Sequence, residues 1–89
     1  MTYLIKEKTE DYTYVVGSAT NLDTAIQRLK DFADSFRKEM TDYVDTANDE
    51  NVKECTFTEK QKLVGENAEV RFSFKHKDMD DFVFWVEKA

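Results

Sequence analysis

The feature that most constrains this chain is an apolar stripe between Asn21 and Val44. Apolar side chains recur there at gaps of three and four residues, at Leu22, Ala25, Ile26, Leu29, Phe32, Ala33, Phe36, Met40, Tyr43 and Val44. That spacing places them on one face of an α-helix. Thr20 or Asn21 can cap the first turn by accepting a bond from a free backbone N–H. We therefore predict a long amphipathic helix over Asn21–Val44, whose apolar face needs a partner.

The rest of the chain has the pattern of short strands. Two strand candidates precede the helix and three follow it, over residues 3–5, 12–16, 53–63, 69–76 and 82–86. The Gly17-Ser18 pair is predicted to break the second of them before the helix begins. Short turns between consecutive strands favour hairpins. The chain therefore predicts an α+β fold of order β-β-α-β-β-β, in which one long amphipathic helix packs on an antiparallel sheet.

The length of 89 residues corresponds to one domain, and no linker, repeat or low-complexity tract divides it. We predict a single α+β domain over residues 1–89. One tryptophan, four tyrosines and seven phenylalanines supply material for a core. A chain of this size forms one core of modest extent, so a deep internal substrate pocket is not expected.

The sequence predicts a cytoplasmic protein that does not associate with membranes. No apolar run approaches the roughly 20 residues that a membrane helix needs. The first residues lack the charged start and apolar stretch of a signal peptide. The chain has a single cysteine, whereas small secreted domains usually carry several that pair.

The residue types that carry catalysis are scarce. Cys55 and His76 are the sole cysteine and histidine, and no third residue is marked to orient them as a nucleophile and its base. A packed thiol and a surface imidazole explain the two residues more simply. Gly17 and Gly65 are too far apart to form a phosphate-binding loop. We therefore predict no catalytic residue, no cofactor and no metal site.

The most unusual charge pattern lies at the C-terminal end of the predicted helix. Five acidic residues occur there with no basic residue between Lys38 and Lys53, at Glu39, Asp42, Asp45, Asp49 and Glu50. Acidic side chains oppose the helix dipole at that end and reduce stability slightly. Two interpretations remain open, a solvated surface that has no partner and a contact surface for a basic partner.

The net charge of −6 narrows the choice of partner. A negative domain is repelled by phosphate backbones, which disfavours direct nucleic-acid binding. The predicted function is a small acidic, non-enzymatic protein-interaction module whose partner is a basic protein. In a sharper form it is an acidic decoy that inhibits a basic nucleic-acid-binding protein.

A second function is indicated by the later strands. Their polar positions carry the basic residues Lys60, Lys62, Arg71 and Lys75. The last strand is apolar on both faces, and the pattern leaves open whether its Val83–Trp85 face is core or surface. If exposed, Trp85 is a partner-binding residue. The alternative function is therefore a single-stranded nucleic-acid-binding domain that uses the basic outer sheet face.

Overall fold

A computed structural model describes residues 1–9, 11–46, 57–74 and 80–89, with the backbone alone for residues 44–46. It contains six elements: β1 (Tyr3–Lys8), β2 (Thr13–Ala19), α1 (Leu22–Thr46), β3 (Phe57–Lys62), β4 (Glu69–Phe74) and β5 (Phe82–Lys88). The predictions for Cys55, His76, Lys75, Asp49 and Glu50 lie outside the described residues.

The strands form one antiparallel sheet of order β2-β1-β5-β4-β3. The helix packs on one face of this sheet, and the predicted α+β fold is confirmed. The chain order did not predict that β5 would become the middle strand. Its position explains why it is apolar on both faces, because side chains on the face away from the helix are flanked by those of β1 and β4, and Val83 is buried there.

The core lies between the helix and the sheet. From the helix, the predicted stripe buries Ala25, Leu29 and Ala33 completely. The three central strands supply Ile5, Val70, Phe72, Phe84 and Val86. Burying apolar surface of this kind is the main term that stabilises a small fold.

The helix begins close to its predicted start, but only part of its stripe enters the core. The Asn21 side chain is the cap, since its Oδ1 accepts the Thr24 N–H at 2.8 Å. Among the described side chains of the helix, Phe36 is the last that packs against the core cluster. Tyr43, two turns later, is 56% exposed. A helix that rises 1.5 Å per residue outruns strands of six or seven residues, so its C-terminal part extends beyond the sheet.

The predicted break at Gly17-Ser18 is wrong, because β2 continues through both residues to Ala19. Pairing with β1 shifts register between Ile5 and Lys6, which leaves Val16 as the extra residue of a β-bulge. The Phe32 ring lies over Gly17, and a Cβ added there would be 3.1 Å from Phe32 Cε2. The glycine therefore serves a close helix–strand approach and does not end the strand.

Candidate functional site

The predicted acidic surface is partly visible in the described residues. Glu39 and Asp42 are exposed on the C-terminal half of α1. Asp45 lies in the same helix, whose last turn contains no basic residue. The carboxylates of Glu39 and Asp42 are therefore presented to solvent on this part of the helix.

The sheet brings to this surface a carboxylate, Glu7, that the sequence pattern did not indicate. Glu7 of β1 is paired directly with Phe84 of β5, whose side chain belongs to the core. Glu7 therefore points to the helix side of the sheet. Burial, with a smaller contribution from the negative charge of Glu39, raises the pKa of Glu7 above its usual range. Every second side chain of a strand points to the same face, so Glu7 shares the face of Tyr3 and Ile5. That pattern could have revealed the orientation of Glu7, but the strand was predicted to end at Ile5.

Glu7 and Glu39 border a shallow hollow of about 160 Å³ between β1 and α1. Phe32, Phe36, Phe84 and Ser35 complete its lining. Two carboxylates beside aromatic rings suit a lysine or arginine side chain, whose charge can meet the carboxylates while its aliphatic stem covers the rings. Chemically, this arrangement can hold a cation.

One side of the acidic surface is limited by a cluster of ion pairs. Arg37 Nε donates to Glu59 Oε2 at 2.7 Å, and its Nη1 donates to Asp34 Oδ1 at 3.0 Å. The bond from Arg37 lowers the pKa of Glu59. Arg37 therefore neutralises Asp34 and Glu59 on this side of the acidic surface, whereas Glu7 and Glu39 lie at the hollow between β1 and α1.

Trp85 lies on the other face of the sheet. Its neighbours across the strands are Lys6 and Glu69, and the core cluster contains neither Trp85 nor Val83. Phe84 and Val86 face the helix, and Val83 and Trp85 lie on the opposite face of the sheet, where Val83 is buried at 8% exposure and Trp85 is partly buried. The structure therefore does not bring Trp85 together with Glu39.

The outer sheet face also carries the basic residues that the sequence placed there. Strand register puts five cations on it, at Lys6, Lys8, Lys60, Lys62 and Arg71. Two of the five are already paired with carboxylates. The Lys6 ammonium pairs with Glu87, and Arg71 contacts Glu69 and Asp81 at 3.3 Å each.

No group of three or more histidine, cysteine, aspartate or glutamate side chains in the described part of the chain is arranged to hold a metal ion. Across the same residues, no helix combines the length and the apolar character needed to cross a membrane. No protein-family model, curated protein or solved structure matches the chain.

Proposed function

We propose that this protein is a protein-interaction module that binds a basic partner through the surface formed by Glu7, Glu39 and Asp42. The observation that supports this most directly is the position of Glu7 beside Glu39 at an apolar hollow. Two carboxylates in this arrangement repel each other, and burial makes the repulsion stronger. A cation between them relieves it.

The position of this surface also suits a partner. The hollow opens between β1 and α1, and Glu39 and Asp42 are exposed on the helix beside it, so a basic segment of another protein can approach them from the helix side of the sheet. Carboxylates at the edge of a protein–protein interface mostly accelerate association and fix how the two partners are aligned. The decoy form of the proposal follows if the basic partner uses the same groove for nucleic acid.

The test compares two single charge reversals that alter net charge equally. Glu39→Lys changes the acidic hollow, and Glu66→Lys changes an exposed position in the turn between β3 and β4. An oligolysine peptide serves as the probe, and binding is followed by NMR shift changes at low and high salt. We expect the shifts to cluster around Glu7 and Glu39, and Glu39→Lys to weaken binding far more than Glu66→Lys.

Stability provides the folding control. Glu39→Lys replaces a like charge near Glu7 with an opposite one, so unfolding should need at least as much denaturant as in the wild type. Equal losses of affinity in both variants, or shifts spread over all carboxylates, would contradict the proposal. A real basic partner that binds this protein and nucleic acid at the same time would contradict the decoy form alone.

A second candidate is single-strand nucleic-acid binding at the outer sheet face, favoured by the strand register that puts five cations on the same face as Trp85. Trp85 is the sole tryptophan, so its fluorescence reports on that face alone. Base stacking on Trp85 would quench this emission when an oligonucleotide is added. Lys60→Glu should then weaken binding more than Lys30→Glu on the helix. Unchanged emission would exclude this candidate.

A further inference from the structure

The edge strand β2 is unusual in having no charged side chain of its own. The chain has no charged residue from Tyr12 to Leu22, and this interval includes all of β2. The other edge strand, β3, carries Glu59, Lys60 and Lys62. Natural edge strands generally use charges, especially lysine, to prevent pairing with another chain. Of the two edge strands, β3 carries such charges and β2 does not.

The exposed side chains of β2 are apolar or aromatic. Val15 is 59% exposed, and Tyr12 and Tyr14 are also largely exposed, with their ring centroids 6.0 Å apart. The bulge at Val16 adds local twist, which is a partial protection. No described strand pairs with the outer edge of β2, which therefore offers backbone groups and apolar side chains to another chain.

A groove runs beside this edge, between β2 and the helix. It has a volume of about 420 Å³ and is lined by Gly17, Ser18, Arg28, Asp31, Phe32 and Ser35. Volumes of this size accommodate an aromatic side chain with room to spare. A strand added to β2 would direct every second side chain towards this groove.

We propose that a second copy of this chain occupies the edge, with the two β2 strands pairing antiparallel about a two-fold axis. An isologous contact requires a self-complementary surface. The bulge supplies it: Tyr14 and Gly17 both lie on the helix side of β2, since their β1 partners are Glu7 and Ile5. Pairing Tyr14 of each copy with Gly17 of the other therefore keeps the faces of the sheet matched.

This register also fits the side chains. Gly17 has no side chain of its own, so a tyrosine ring from the second copy can cover the glycine beside Phe32. An aromatic residue across from an edge glycine is a known way to stabilise such a position. The Arg28 guanidinium already donates to the Ser18 carbonyl. A carbonyl has two lone pairs, so Thr13 of the second copy can share that acceptor.

A second copy fits better than the basic partner proposed above, because β2 has no carboxylates to attract a basic partner. The two surfaces also respond oppositely to salt. Each copy carries a net charge of −6, so self-association is opposed by repulsion and should strengthen as salt screens it. Binding of a cation at the acidic hollow should weaken with salt.

The experiment uses two matched substitutions, Val15→Lys on β2 and Val64→Lys in the turn after β3. Both valines are exposed, Val64 by 78%, and both changes add one positive charge. Sedimentation equilibrium from micromolar to millimolar concentration should show a dimer for the wild type and for Val64→Lys. Val15→Lys should weaken dimerisation about tenfold or more, because two lysines then meet diagonally across the axis.

Tyr14→Ala provides a second variant, which tests the aromatic contact without adding charge. It should also weaken the dimer, and circular dichroism should show that both β2 variants remain folded. Amide hydrogen exchange should show concentration-dependent protection in β2 and none in β3. A wild type that stays monomeric at millimolar concentration, or equal dimerisation of Val15→Lys and Val64→Lys, would overturn the proposal.

Discussion

Replacing Phe36 by alanine tests whether the helix packs on the sheet as described. Phe36 is the point at which α1 contacts three strand aromatics together. Its ring centroid lies 4.8 Å from Phe72, 5.0 Å from Phe82 and 5.5 Å from Phe84. Removing this ring takes contacts away from β4 and β5 at the same time.

The expected cost follows from the burial and the ring contacts. Phe→Ala changes in protein cores cost about 3–5 kcal/mol. Phe36 is only partly buried, which places its cost towards the lower end of that range, and its aromatic ring contacts keep the cost within the range. We expect a loss of about 3–4 kcal/mol. For a chain of this length that corresponds to a fall in Tm of about 12–30 °C.

Urea unfolding followed by circular dichroism measures this loss through the midpoint and the slope. Tyr43→Ala is the matched control, because it removes an exposed aromatic ring from the same helix at similar helix propensity. It should change the free energy of unfolding by less than about 1 kcal/mol. A loss below about 1 kcal/mol for Phe36→Ala, or equal losses for both variants, would refute the assigned helix face.

Two further perturbations test the close helix–strand approach and the acidic hollow. Gly17→Ala should cost about 1–3 kcal/mol because its Cβ meets the Phe32 ring, and Phe32→Leu should recover part of that loss in urea unfolding. Additive losses in the double variant would contradict this contact. Glu7→Gln should raise the free energy of unfolding at neutral pH, because a carboxyl with a raised pKa loses folding stability as pH rises from its unfolded value through its folded value. The advantage should disappear at about pH 3.5, where both states hold the proton, and an equal advantage at both pH values would show that charge is not the cause.

The residues of the acidic surface illustrate how far the sequence alone could reach. Glu39 and Asp42 were identified because a helix repeats every 3.6 residues, which places residues three apart on one side. The lack of any basic residue between Lys38 and Lys53 is also visible in the sequence. Glu7 was missed because its relation to Glu39 crosses 32 positions and depends on which strand the helix overlies. Such a contact exists only after the sheet forms.

The edge strand β2 also separates what the sequence determines from what only the tertiary structure determines. The sequence by itself determined that β2 is uncharged and apolar, just as it determined the helix stripe and the antiparallel α+β class, because these properties are local and periodic. Strand order is not local: it depends on which hairpins dock side by side once the helix covers one face. Only the tertiary structure decided that β2 is an edge and β5 the middle strand. That placement left the uncharged strand open to a partner and enclosed the strand that is apolar on both faces.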